Sequence, residues 1–319
     1  SRVGIAFPDS VVDLPATTQK DLKDVEWAIA NKIDYVAVSF VKNARDLSML
    51  REISSKHGGD IRLIAKIERR TALENIEEIL DASDGLMVAR GDLGLELPLE
   101  KVPLVQKQLI AQANYRGIPV IVATQMLHSM ITSTRPTRAE VTDIAFAVMS
   151  GADAVMLSEE TAIGEHPRKA VEYLGKIAAE ADRSFVFDEY KLRLRDADRL
   201  TVPDAVAYAA CAASIKVSAT AIIACTETGT SARLVAKYRP QEPLYGVSTS
   251  EAALRRMSLY WGVKPLRIGE PQSHQDELEI ALESVKKDGN FPKGSRAVVT
   301  GGLSVRSPGA TTMLEIKEL

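Results

Sequence analysis

Two cysteines, Cys211 and Cys225, are all that the 319 residues contain. Neither a disulfide scaffold nor a cysteine-rich metal site can hold such a chain together, and a reducing cytoplasm is its expected location. Aromatic residues are 5% of the sequence, so packing must come from Val, Ile, Leu, Ala and Met. The four histidines, His57, His128, His166 and His274, are scattered and form no metal-ligand pair. No apolar run approaches the ~20 residues that a membrane helix needs. The first twelve residues lack the basic and apolar regions of a signal peptide. An excess of one charge is also missing: 40 Lys and Arg face 43 Asp and Glu, a net charge of −3. That is no electrostatic footprint for nucleic acid. The spacings GxxxxGK(S/T), GxGxxG and GxSxG are absent, which removes the best-known phosphate-loop, dinucleotide and serine-nucleophile templates.

What remains is a globular composition, 45% hydrophobic and 26% charged. The length suggests two domains at ~100–200 residues each. Short apolar, β-branched runs alternate with amphipathic stretches. Strands are predicted at 35–39, 62–67, 85–89, 120–123 and 154–157. Helical patterns fall between and after them, at 18–31, 44–57, 71–82, 102–116, 138–149 and 168–181. Repeated β-then-α units imply a parallel sheet, and near-continuous apolar strands imply that it is buried. Thr17, Thr18 or Asp21 can cap the first helix. Thr137 with Glu140 has capping-box spacing, and Pro167 suits a first helical turn. The charged stretch 184–203 reads as a connector. A second series follows, with helices at 204–214, 231–238 and 250–260. Its strands are expected at 221–225, 244–247 and 297–300, with an edge strand at 311–316. The expected domains are 1–185 and 186–319. Five strands in the first series leave an open sheet and part of an eight-stranded barrel both in play.

In such folds ligands sit at the C-terminal ends of the strands. The second strand ends in Lys66 and Glu68, two apart and so on one side; a plain salt bridge is the alternative. The third ends Ala89-Arg90-Gly91-Asp92, where glycine lets backbone N–H groups approach an anion. Glu68 and Asp92 are hard oxygen donors suited to Mg²⁺ or Mn²⁺. An Asx-capped turn is the plainer reading of Asp92. The fourth strand ends in Thr124, Gln125 and, nearby, Ser129. The fifth ends Ser158-Glu159-Glu160, which would make the rim acidic and able to hold a divalent cation facing an anionic substrate. In the second series Thr226, Thr228, Gly229, Thr230 and Ser231 join a strand to a helix. Hydroxyls at a helix start suit a phosphate, and simple N-capping by Thr230 or Ser231 is the alternative.

These segments come in order with Met87–Gly94, Ala123-Thr124-Gln125-Met126-Leu127, Arg135-Pro136-Thr137-Arg138-Ala139-Glu140 and Leu157-Ser158-Glu159-Glu160-Thr161. Together they resemble the pyruvate kinase family along essentially the whole chain. The resemblance implies an α/β fold: a partial (β/α)₈ TIM barrel, strands four to eight, followed by a C-terminal α/β domain with a mostly parallel sheet. The family's first three strands and its inserted lid domain have no counterpart in the sequence. The implied activity moves the phosphoryl group of phosphoenolpyruvate to ADP, giving pyruvate and ATP in glycolysis. By the resemblance, Lys66 and Thr124 are catalytic, and Glu68 and Asp92 hold Mg²⁺ or Mn²⁺. Residues Ala89, Arg90, Gly91 and Asp92 join Lys66 and Thr124 around the substrate. Thr226, Thr228, Gly229, Thr230 and Ser231 take a phosphorylated effector. The family's K⁺ ligands lie in the missing part, and a tetramer is the implied assembly. Arg138 resembles an arginine near the subunit boundary. Two departures stand out, Glu159 where glycine is frequent and Glu227 in the presumed phosphate loop. The missing strands make this chain, alone, an expected weak or inactive enzyme. An Mg²⁺-dependent aldolase or lyase of pyruvate-type enolates, and a non-catalytic fragment completed by a partner, are the competing expectations.

Overall fold

The apolar runs form strands because both of their faces are buried, a setting that suits β-branched side chains. The computed structural model describes residues 17–185, 201–302 and 311–319. It divides into two compact units, Ser1–Phe185 and Val186–Leu319. The connector expected at 184–203 falls mostly outside the described residues.

In the first unit the strands are β1 (Tyr35–Val38), β2 (Arg62–Ile67), β3 (Gly85–Ala89), β4 (Val120–Ala123) and β5 (Ala154–Met156). They form one sheet in the order β1-β2-β3-β4-β5, every pair parallel. A doubly wound sheet reverses its strand order at a switch point, whereas this order never reverses. Successive strands that always step the same way make the wall of a barrel. Burial follows position: β3 and β4 are buried throughout, while β1 and β5 are only partly so. Among the described residues β1 pairs on one side only. A cavity of about 830 Å³ opens beside it, lined by Val36, Val38, Phe40 and Trp27 among others.

The helices begin where the sequence marks them. Thr18 with Asp21 and Thr137 with Glu140 form complete capping boxes, and Pro167 opens Pro167–Arg183. Asn43 with Asp46 forms a third box that the sequence reading passed over. The helix expected at 71–82 is two, Arg70–Glu74 and Ile76–Ala82. Asn75 at the break donates its amide to the Lys42 carbonyl at 2.9 Å, and its backbone leaves the helical region.

The second unit has β6 (Ala221–Cys225), β7 (Leu244–Ser248), β8 (Val263–Arg267), β9 (Arg296–Gly301) and β10 (Met313–Glu318). Their order is β10-β9-β6-β7-β8, parallel except for β10, which runs antiparallel to β9. Here the order does reverse, between β6 and β9, which is where open α/β sheets bind ligands. The reading missed β8 and the helix His274–Asp288. β8 carries Lys264, Pro265 and Arg267, which suit an edge strand but break the apolar pattern.

At the lower, N-terminal ends of the first sheet, aspartates stitch neighbouring strands. Asp153 accepts the Val120 N–H at 2.9 Å. Asp84 accepts the Leu63 N–H at 3.0 Å and pairs with Arg51 at 2.8 Å and Arg62 at 3.2 Å. Burial works against ionising Asp84, but the Leu63 N–H and the two arginines outweigh it and hold the carboxyl below its ordinary value. A depressed carboxylate contributes stability that is complete above the unfolded value of about 3.9 and is lost as pH falls toward the folded value. Thermal melts should therefore show a steeper acid decline below about pH 4 for the unsubstituted chain than for Asp84→Asn. Parallel declines for the two proteins would show that Asp84 contributes nothing.

Candidate active site

The upper ends of β1 to β5 carry the residues read as functional. Glu68 follows β2 and is 1% exposed. A buried carboxylate needs donors, and Glu68 has two. Its Oε1 lies 2.6 Å from Lys66 Nζ, and its Oε2 accepts the Phe40 N–H at 2.6 Å. Lys66 Nζ also donates to Ser39 Oγ at 2.8 Å. The salt bridge foreseen between Lys66 and Glu68 is thus present. Each carboxylate oxygen keeps a second lone pair, so the bridge leaves donor capacity toward a cation. Asp92, partly exposed in the short helix Arg90–Glu96, takes part in no hydrogen bond or ion pair among the described residues. One engaged and one unengaged hard carboxylate on adjacent strand ends fit a divalent ion in donor chemistry. Among the described residues no group of three or more His, Cys, Asp or Glu comes together. Water and ligand oxygens would have to complete such a site.

Thr124 follows β4 with φ +72°, and Gln125 with φ +53°. Left-handed backbone is a genuine outlier for a β-branched residue and costs about 1–3 kcal/mol. The Thr124 hydroxyl accepts the Gly91 N–H at 2.8 Å and donates to the Ala123 carbonyl at 2.6 Å. Arg90 does not extend into open space. Its guanidinium meets Asp143 Oδ2 at 2.5 Å, the Thr124 carbonyl at 2.7 Å, Met126 Sδ at 2.9 Å and the Ala123 carbonyl at 3.4 Å.

The fifth strand end differs from the acidic rim expected of it. Glu160 is 1% exposed and accepts the Leu127 N–H and the Ser158 N–H, each at 2.9 Å. It ties the ends of β4 and β5 together. Glu159 is exposed, 3.5 Å from His128 Nδ1. Ser129 donates its N–H and hydroxyl to Glu140, whose carboxyl these and the Thr137 donors hold below its ordinary value despite burial. Arg138 is exposed at the start of its helix.

Three residues escaped the sequence reading: Ser39, Phe40 and Asp143. Phe40 also has a left-handed backbone, φ +57°, and Arg69 lies 5.1 Å above its ring. The signal was the end of the first strand, which was never read as the others were.

In the second unit the 226–231 loop leaves β6 at the reversal of strand order. Gly229, φ +91°, is the N-cap of Thr230–Lys237, and no side chain caps that helix. Capping by Thr230 or Ser231 is therefore not found. The hydroxyls bind within the fold: Thr226 Oγ1 accepts the Gly229 N–H at 3.0 Å, Thr228 and Thr230 share a bond of 2.9 Å, and Ser231 meets Thr311 at 2.7 Å. Glu227 is exposed. Burial first, and then the Glu227 charge, raise the Glu277 carboxyl against the opposing pull of His274.

A non-reversing parallel wall with a lysine and carboxylates at its upper rim defines a barrel-type α/β enzyme scaffold. The comparisons then give the family. The pyruvate kinase barrel-domain model matches residues 1–171, and the pyruvate kinase alpha/beta-domain model matches residues 204–317. The pyruvate kinase of Clostridium acetobutylicum is 38% identical over 318 residues, covering 99% of this chain and 67% of that protein. Those of Geobacillus stearothermophilus and Dictyostelium discoideum are 39% and 40% identical, with 54% and 64% of their lengths covered. This chain belongs to the pyruvate kinase family. It spans between about half and two thirds of the length of these relatives.

Glu160→Gln tests the tie between β4 and β5. An amide has one acceptor oxygen where the carboxylate has two, so one backbone N–H loses its partner. Chemical denaturation should show a loss of about 1–3 kcal/mol. An unchanged midpoint would show that the buried carboxylate is not needed there.

Proposed function

We propose that this chain carries the metal- and substrate-binding half of a phosphoenolpyruvate–ADP phosphotransferase site. The observation that carries the reading is the joining of Lys66, Glu68, Asp92 and Thr124 at adjacent strand ends in a chain of this family. Glu68 and Asp92 would hold Mg²⁺ or Mn²⁺. Bound there, the ion supplies positive charge to the enol and phosphoryl oxygens of the substrate. Lys66 adds a second cation, oriented by Ser39 and Glu68, for the charge that spreads over the transferring phosphoryl group and the enolate. Gly91 gives its N–H to Thr124, which leaves the helix-start N–H groups of Arg90 and Asp92 for the substrate carboxylate. Thr124 lies by the methylene carbon, where its hydroxyl oxygen helps direct the proton that completes pyruvate.

ADP and ATP are the proposed nucleotides, in a cytoplasmic, glycolytic setting. No helix among the described residues is long and apolar enough to cross a membrane. The K⁺ of the family has no ligands assigned in this chain. The second unit is proposed to bind a phosphorylated effector at 226–231 and to support a homotetramer. Its support is the uncapped start of Thr230–Lys237 beside the strand-order reversal. Glu227 faces solvent there, and a phosphate would meet its charge at the loop's outer rim.

Titration with Mn²⁺, read by water-proton relaxation, should show Asp92→Ala weakening binding at least tenfold. Glu160→Gln should leave the affinity within twofold. Unaltered affinity in Asp92→Ala would remove the metal assignment. In a lactate-coupled assay the purified 319-residue chain should turn over below ~1 s⁻¹, the lower end for kinases. Ordinary kinase rates would show that the site is complete in this chain. Nucleotide-independent aldol cleavage of a 2-oxo acid would replace the reading with a lyase.

A further inference from the structure

From the convergence of Arg90 on Thr124 we infer that Arg90, anchored by Asp143, is a positioning residue that holds Thr124 in its left-handed backbone for the proton step. This rests on the reading that places Thr124 beside the reacting carbon. A threonine does not adopt φ +72° unless its surroundings over-determine it. Thr124 is gripped from both ends by consecutive residues. Arg90 donates to its carbonyl at 2.7 Å, and Gly91 donates to its hydroxyl at 2.8 Å. Arg90 also reaches the preceding carbonyl, Ala123, at 3.4 Å. The peptide oxygens on both sides of Thr124 thus face one guanidinium, and this fixes the orientation of the two peptide planes that set φ.

The guanidinium is fixed in turn. Its side chain is 11% exposed, and Asp143, on Arg138–Met149, meets Nη1 at 2.5 Å. Met126 Sδ closes the remaining side at 2.9 Å. Only a planar fork can meet acceptors in several directions at once; a lysine ammonium on a flexible stem cannot. The hydroxyl of Thr124 gives its proton to Ala123 and takes one from Gly91, so one lone pair remains. Its direction depends on the backbone that Arg90 holds. Arg90 acts through Thr124 and touches no substrate, and Asp143 acts through Arg90.

The experiment uses the full chain and two variants, Arg90→Lys and Asp143→Asn. Backbone ¹³Cα and ¹³Cβ shifts of Thr124 report its conformation without any turnover. Exchange of pyruvate methyl protons with D₂O, in the presence of Mg²⁺, reports the proton step: a C–H bond breaks and the same carbon regains a deuteron from solvent. In Arg90→Lys the Thr124 shifts should leave the left-handed range, and exchange should fall at least tenfold with half-saturation by pyruvate changed less than threefold. Asp143→Asn should move both readouts the same way by a smaller amount, and it carries the test if Arg90→Lys does not fold. Unmoved shifts would overturn the inference whatever the exchange rate. Moved shifts with unchanged exchange would overturn the positioning role. If the unsubstituted chain catalyses no exchange, the functional reading falls, and the shifts alone decide whether Arg90 holds Thr124.

Discussion

A carboxylate taken out of water at the end of a strand must be met by donors aimed at it, or the strand end cannot form. This constraint organises the first unit. Glu68 draws Lys66 and the Phe40 N–H together and so joins the ends of β1 and β2. Glu160 draws the Leu127 and Ser158 N–H groups together and joins the ends of β4 and β5. At the other pole Asp84 and Asp153 do the same for the strand starts. The two poles use one device for different ends. At the lower pole every charge is answered within the protein. At the upper pole Asp92 is left without a protein partner among the described residues, and this makes that pole a site.

The sheet's direction supplies the rest. Because all five strands are parallel and step the same way, their chemistry-bearing ends lie side by side in chain order. Lys66, Asp92 and Thr124, far apart in sequence, become neighbours through register alone: Ala65 pairs with Leu86, and Ala89 pairs with Ala123. The second unit solves the same problem differently. Its order reverses between β6 and β9, so the crevice falls where two connections part. The Ser231–Thr311 hydroxyl pair spans that crevice.

Much of this was legible in the sequence. All five strands of the first sheet follow from apolar runs, and the Thr137–Glu140 box follows from spacing. The Lys66–Glu68 juxtaposition follows from period-two geometry. What stayed hidden depends on distant partners. No local pattern says that Asp143 will meet Arg90, or that the rim carboxylate Glu160 turns inward to backbone donors. Phe40, Thr124 and Gln125 carry no glycine signal for their left-handed backbone. Their conformation is imposed by tertiary contacts and is invisible to local propensity. The helix His274–Asp288 is a different kind of miss: Ser273 and the 278, 281 and 285 spacing mark it plainly. Its many charges drew the reading toward surface loop.

The strained pair Thr124–Gln125 has a consequence for how this protein can be improved. Glycine at either position would relax the backbone and make the fold more robust, since glycine accepts a positive φ without penalty. At 124 it would also delete the hydroxyl that Gly91 binds, and at 125 it would loosen the peptide that Arg90 orients. Selection for thermostability alone would find these changes early and would trade function for them. The segment after β4 is thus where durability and chemistry are opposed, and a stabilised version of this chain should be built from substitutions elsewhere.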